Sequence, residues 1–572
     1  MTAMVRRVNG PLIEVDDLAG AAVAELVEIT SAAAAIPAEV VARSGEHAIV
    51  QAYEYTGGVR PGDPVRQLNR SLSAPLGPGL LGGVFDGLLR PLAGGPAWLA
   101  PGSIAPADGR TWQFVPVAGD ARQANAGDML GVVTAAGPIE HRVLVPPGVQ
   151  GAVSVRPAGA YRADEPIAQV GTVDVALRTW WPVRRPRPCT TRLAAADPLL
   201  TGQRVLDLLF PLIKGGTAAV PGGFGTGKTV LLQQVAKWSD ADVIVYVGCG
   251  ERGNELVDVL DELRDLPDPR TGGRLADRTV IIANTSNMPI MAREASIYTG
   301  VTVAEFYRDM GYDAVVIADS TSRWAEALRE FASRSGDLPA EEGYPAGLAS
   351  ALAAFYERAG RVSTLGGRSG SVTVIGAVSP PGGDMTEPVT AQTQRFVRSL
   401  WTLDRDLAYA RHYPAVSWSG SYCRDAEAIG AWYAANGDPG WAARRGRASA
   451  VLADADRIAA LAELVGLESL PGLERMTLLG GRLLREGVLQ QSALSANDAT
   501  CTSAKAAGLL DATLSVMDEC VELVAAGVAA ATLEQADFGP VLRAREETGP
   551  DDADGVRARG ELMRRRLHEG GP

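Results

Sequence analysis

The chain has 572 residues, 67 of them acidic against 54 basic, for a formal charge of −13. That length exceeds one hydrophobic core and predicts three or four domains, while the acidic balance speaks against a nucleic-acid sleeve, which needs a basic stripe. Five scattered cysteines without a C-x-x-C pair, four isolated histidines, no long apolar run and no signal-peptide core point to free thiols in a reducing compartment. They also point to no metal beyond one carried by a nucleotide, and to a membrane role that is peripheral at most.

In chain order, the first 70 or so residues alternate short β-rich runs with Gly/Pro turns: Met4–Val8, Leu12–Val15, Ala22–Ile29 and His47–Tyr53. This spacing predicts a small β-barrel or sandwich. Residues 72–100 are rich in Gly, Pro and Leu and read as a connector with room for one helix. A second β-rich block at 111–181 carries strands at Trp112–Val117, Leu130–Thr134, Arg142–Val145, Ala152–Val155 and Thr172–Leu177, separated by Gly-Asp and Pro-Gly turns. From 182 to 430 apolar strands alternate with amphipathic helices, the pattern of a parallel α/β sheet. Its strands are Thr217–Val220, Val243–Val247, Thr279–Ala283, Ala314–Ala318 and Ser371–Val378. From Asp425 onward alanine and leucine dominate, predicting a helical domain that ends in a basic helix, Val556–His568.

The sharpest motif lies inside the α/β region. Gly222-Gly223-Phe224-Gly225-Thr226-Gly227-Lys228-Thr229 matches G-x-x-x-x-G-K-[ST] in full, in a chain with only four lysines. A strand precedes it and a helical run, Val230–Trp238, follows. Glycines let the backbone curl so that its N–H groups meet phosphate oxygens, and the helix start adds partial positive charge. Lys228 then reaches the β/γ-phosphates and the Thr229 hydroxyl ligates Mg²⁺. Ligands of open α/β sheets sit at strand carboxyl ends, and two later strands end in carboxylates. Glu251, with Arg252 beside it, is placed to polarise an attacking water, although an acidic residue there also suits a helix N-terminus. Asp319, after Ala314–Ala318, is placed to hold Mg²⁺ through water or Thr229, although it too has an alternative as a helix cap.

These segments carry a family resemblance. Pro221–Val230, Gly250-Glu-Arg-Gly-Asn-Glu255 and Ala318-Asp-Ser-Thr-Ser-Arg-Trp-Ala-Glu-Ala-Leu-Arg-Glu330 resemble the catalytic A subunit of V/A-type rotary ATPases. So do Trp181–Arg184, Pro198–Val205, Gly343–Pro345, Phe355–Gly360, Gly376–Asp384 and Arg485-Glu486 with Gln490-Gln491. The resemblance implies an α/β fold with a P-loop (RecA-like) core, an N-terminal β-barrel at 1–72 and a nucleotide-binding domain at 73–110 and 182–430. It adds an inserted β-rich bulge domain at 111–181 and a helical C-terminal domain at 431–572. It also implies residue roles. Lys228 and Thr229 hold phosphate and Mg²⁺ within the loop 222–229, Glu251 orients water with Arg252 as neighbour, and Asp319 is the Mg²⁺-side carboxylate. Arg323 faces the γ-phosphate. Tyr413-Pro-Ala-Val416 resembles the loop whose aromatic ring stacks on adenine, the alternative being a buried core tyrosine. Two departures stand out: Thr226 where the family usually has Cys or Ser, and Leu494 where a phenylalanine usually helps enclose the base.

The function so implied is ATP hydrolysis or synthesis coupled to H⁺ or Na⁺ transport. The chain would alternate with a B-type subunit in a six-membered ring, with central and peripheral stalk subunits and a separate membrane sector. Its expected place is cytoplasmic, peripheral on the cytoplasmic face of the membrane. The competing reading is a homohexameric secretion or nucleic-acid motor with the same nucleotide core. The inserted block at 111–181 counts against it.

Overall fold

The computed structural model describes residues 3–31, 34–92, 109–117, 123–194, 196–336 and 338–569. The chain packs as two compact units. One comprises Met1–Ala195, Ala241–Ser379 and Met385–Phe396; the other comprises Ala196–Asp240, Pro380–Asp384 and Val397–Pro572.

The first unit begins with a six-stranded antiparallel sheet. Its order is Met4–Asn9, Leu12–Asp16, His47–Ala52, Ala35–Ser44, Glu25–Thr30, Val65–Ser71. Val5 N donates to Asp63 O (2.9 Å) and Val65 N to Ala3 O (2.8 Å), so the first strand meets the last and the sheet closes into a barrel. Its core is the inward alternation of Ile13, Val15, Val27, Ile29, Ile36, Val40 and Val50. Two of its strands, Ala35–Ser44 and Val65–Ser71, were not expected from sequence.

The inserted block forms two four-stranded antiparallel sheets around one core that includes Phe114, Leu130, Val133, Ile167 and Val170. All five expected strands are present. Gly159–Arg162, Pro166–Val170 and the short Gln123–Ala124 join them. Thr179–Pro182 pairs antiparallel with Ser73–Leu76, so the chain after the inserted block runs beside a strand that precedes it. The expected connector helix is absent among the described residues of 72–92; the rest of that segment, 93–100, lies outside them. Its Gly-Leu run instead makes tight turns and the short strand Val84–Phe85, with Leu80, Val84, Phe85 and Leu89 buried.

The same unit holds five parallel strands in the order Ser369–Val378, Asp313–Asp319, Val243–Glu251, Thr279–Thr285, Val84–Phe85. They are buried almost throughout, as a parallel sheet covered by helices on both faces requires. Helices Gly253–Asp265, Ile290–Asp309, Thr321–Ser335 and Leu348–Tyr356 follow or flank them.

In the second unit, Thr217–Pro221 pairs parallel with Ser399–Leu400, and helix Lys228–Trp238 follows the first of these. From Ala426 the chain is helical, as expected. Trp441–Val465, Gly472–Leu484, Ser503–Ala525 and Ala553–Glu569 are its longest helices, and Met476, Leu483, Val516, Phe538 and Met563 lie in its core. Among the described residues no helix is long and apolar enough to cross a membrane.

Candidate active site

In the second unit, the wholly buried strand Thr217–Pro221 runs into the glycine loop. The helix begins at Lys228, and Gly227 before it offers no side chain to cap its start. Gly225 (φ +80°) and Gly227 (φ +83°) take the left-handed conformation that makes the loop curl. At Gly222 a Cβ would stand 2.8 Å from Thr226 Oγ1 and 2.9 Å from Leu403 Cβ, so only glycine fits. Thr226 Oγ1 donates to Gly223 O (2.9 Å) and Lys228 Nζ to Gly222 O (2.8 Å), laying the ammonium across the loop. Thr229 is exposed and Phe224 projects outward, 98 % exposed. This is a concave row of backbone groups with a cation laid across it, suited to an anion of phosphate size.

Tyr413 belongs to the same unit. It is 43 % exposed, which sets aside the buried-core reading. A Cβ placed on Gly227 would lie 3.3 Å from Tyr413 Cε1, so the ring stands beside the helix end of the loop. Gln491 N donates to Tyr413 O (2.8 Å), which fixes its backbone. The neighbouring His412 is held neutral, pushed down to about 4 by burial and by Arg485 and Arg545. Leu494 is 99 % exposed.

In the first unit, Glu251 ends the strand Val243–Glu251, and Arg252 lies in extended conformation at the start of helix Gly253–Asp265. The Arg252 guanidinium is largely exposed, 3.7 Å from Glu255. Asp319 ends the adjacent strand Asp313–Asp319, opposite Gly248, and is 5 % exposed. Tyr246 OH donates to Asp319 Oδ2 (3.0 Å), and burial holds that phenol in its neutral, donating form. One turn into helix Thr321–Ser335, Trp324 is fully buried with its indole N–H on Glu294 O (3.1 Å); Arg323 is half exposed, 3.3 Å from Glu326.

These groups set the charge of Glu251. Burial, then Asp319, then a hydrogen bond with Glu255 push its carboxyl up to about 7, against the opposing pull of Arg323. A carboxyl pushed up by burial and by neighbouring carboxylates marks a concentration of negative charge that a cation would relieve. Among the described residues no group of three or more His, Cys, Asp or Glu is arranged to hold a metal by itself. The donors fit Mg²⁺ that arrives with phosphate oxygens and waters and takes only one or two protein oxygens.

The expected site residues therefore stand at a strand end, in or beside the phosphate loop, or in the first turn of a helix: Lys228, Thr229 and Tyr413 in one unit, Glu251, Arg252, Asp319 and Arg323 in the other. Sequence reading assigned no role to Tyr246, Glu255 or Arg293. Arg293 gave one signal, the charged pair Arg293-Glu294 inside the run Ile290-Met-Ala-Arg-Glu-Ala-Ser-Ile297, whose other residues are apolar or small.

Four family descriptions match the sequence: the ATP synthase alpha/beta family beta-barrel domain over 5–69 and the alpha/beta subunit barrel-sandwich domain over 106–184, the family's nucleotide-binding domain over 202–423, and the C-terminal domain of V and A type ATP synthase over 430–532. The V-type ATP synthase alpha chain of Nitrosococcus oceani is 52 % identical over 515 residues, covering 86 % of this chain and 85 % of its own. That of Anaeromyxobacter sp. (strain K) is 52 % identical over 517 residues, 89 % of each chain. The A subunit of the A-type ATP synthase of Thermococcus onnurineus is 49 % identical over 538 residues, 91 % of each. With a P-loop, a barrel, a barrel-sandwich insert and a V/A-type helical end in one chain, the protein belongs to the ATP synthase alpha/beta family, in its V- and A-type branch.

Proposed function

We propose that the chain is the catalytic subunit of a V/A-type rotary ATP synthase, interconverting ATP and ADP plus phosphate while other subunits move H⁺ or Na⁺ across a membrane. The observation that carries this reading is the intact phosphate loop, curled by two left-handed glycines onto a helix start that no side chain of Gly227 caps. Similarity to V- and A-type relatives over most of the chain supports it, and none of the relatives named above is a secretion or nucleic-acid motor.

The proposed residue roles are those the family resemblance implies, and the geometry within each unit supports them. Lys228 Nζ, which donates to the Gly222 carbonyl, exchanges that bond for a β/γ-phosphate oxygen. The Thr229 hydroxyl and the Asp319 carboxylate would hold Mg²⁺. When bound, Mg²⁺ neutralises charge on the phosphate oxygens. Glu251, with a pKa near working pH, accepts a hydrogen bond from the attacking water and draws off its proton. Arg323 and Arg252 offset charge on the transferring phosphate. Tyr413 gives the adenine a flat apolar face with modest selectivity.

The domain division of the reading is 1–72, 73–110 with 182–430, 111–181 and 431–572. Its partners are B-type subunits that alternate with this chain in a hexamer, with stalk subunits and a membrane sector, at the cytoplasmic face of the membrane. Affinity purification of this chain from its own cells, with the mass of the intact assembly measured, tests the class. A second alpha/beta-family chain in one-to-one ratio is expected; a ring made of this chain alone contradicts it.

A further inference from the structure

The strand that carries Glu251 does not run straight to its end. Its pairing with Thr279–Thr285 is regular through Cys249 opposite Asn284, then skips Gly250, so that Glu251 stands opposite Thr285. Gly250 takes φ +73°. A bulge of this kind bends a strand end and re-aims the side chain that follows it.

Two side chains wall that bulge. A Cβ on Gly250 would lie 3.0 Å from Arg323 Cβ, 3.1 Å from Arg293 Cδ and 3.2 Å from Arg293 Nε. Arg293 reaches it from helix Ile290–Asp309 and is itself 9 % exposed. Its Nη2 donates to Ser286 O (2.7 Å), and Ser286 N in turn donates to Glu251 O (2.9 Å). The guanidinium is therefore one residue removed from the Glu251 backbone on one side and in contact with Gly250 on the other. Its buried Nε has no hydrogen-bond partner among the described residues, so the side chain is not placed for stability alone: a buried unmatched donor is a cost.

We propose that Arg293 is a positioning residue for the reaction: by gripping Ser286 and walling Gly250 it holds the bulge that sets the direction of the Glu251 carboxylate. This rests on the reading of Glu251 as the water-orienting carboxylate. Arg293 acts through the backbone of 250–251 and touches no reacting atom.

The test uses the assembled complex carrying Arg293→Met, which keeps the stem against Gly250 and loses the donor to Ser286. Gly250→Ala perturbs the same bulge from the other side and serves if the arginine variant does not assemble. Each is made alone and together with Glu251→Gln. A misdirected carboxylate lowers kcat by about 10- to 100-fold, with KM and Mg·ADP binding within about threefold of wild type. Arg293→Lys recovers part of that loss. In the Glu251→Gln background either substitution costs less than about threefold more, because the group being aimed has already been disabled. A kcat loss as large in the Glu251→Gln background as in wild type overturns the inference while leaving the reading of Glu251 intact. A rise in KM at unchanged kcat does the same. Normal turnover by Glu251→Gln alone overturns the reading of Glu251, and the inference with it.

Discussion

Replacing Glu251 by Gln keeps the shape of the side chain and removes its charge, which separates two consequences of its surroundings. Burial, Asp319 and a hydrogen bond with Glu255 push Glu251 up to about 7. Only the carboxylate form can take a proton from water, so kcat/KM, which reports ionisations of the free enzyme, should rise with pH and level off above about 7. One unit below that pKa, about one site in eleven carries the charge, and kcat/KM falls about tenfold from its plateau. Glu251→Gln should lose about 10²- to 10⁴-fold in turnover, the share of a positioned base, and its profile should lose the limb near 7. Stability should move the other way. The folded-state pKa lies above the unfolded one of about 4.3, so the folded chain holds the extra proton between the two. Wild-type stability therefore falls as pH rises from about 4.3 through about 7, and the deficit is complete above that. Glu251→Gln removes the deficit, so at pH 8 the variant should melt at or above the wild-type temperature. The assay is phosphate release by the assembled complex from pH 5.5 to 8.5, with thermal melts at pH 5 and 8. A variant that hydrolyses normally, keeps the limb near 7, or is destabilised more at pH 8 than at pH 5 refutes the reasoning.

Three further outcomes are expected. Tyr413→Ala should weaken nucleotide binding by about 1–3 kcal/mol, the scale of one base–aromatic stack, while Tyr413→Phe keeps it; equal loss in both, by fluorescent-nucleotide titration, would assign the effect to the hydroxyl. Asp319→Asn should raise the Mg²⁺ concentration needed for half-maximal hydrolysis while leaving the fold intact, because the Tyr246 hydroxyl can still donate to the amide oxygen; an unchanged Mg²⁺ requirement removes Asp319 from the metal's surroundings. The purified single chain should be a poor ATPase, because an arginine from a neighbouring subunit is expected to supply on the order of 10³–10⁵ in rate; a monomer, checked by mass, that turns over like the complex rules out a trans-acting arginine.

The parallel strands were legible because burial on both faces leaves near-continuous apolar runs such as Val243–Val247 and Ala314–Ala318. Ala35–Ser44 was not, since Ala35, Pro37, Ala38 and Ala42 are poor strand formers and interrupt the signal of its inward-facing Ile36 and Val40. The connector 72–92 misled for a related reason. Its leucines suggest a helix face, but intervening glycines let each be buried from a turn or a two-residue strand. The phosphate loop was fully legible because its chemistry is contiguous in the chain. Tyr246 on Asp319, Glu255 on Glu251 and Arg293 on Gly250 were not. Tyr246 and Arg293 act through contacts between elements far apart in sequence, and Glu255, four residues after Glu251, has a spacing that equally fits a solvated charged face.

In the proposed mechanism the loop 222–229 drives catalysis through Lys228. Lys228→Ala in the assembled complex, with subunit composition and melting checked against wild type, measures this most directly. Phosphate-clamp charges contribute several kcal/mol to such transition states, so steady-state ATP turnover should fall by at least about 10²-fold while the complex stays assembled. An intact Lys228→Ala complex that hydrolyses ATP at the wild-type rate contradicts the account.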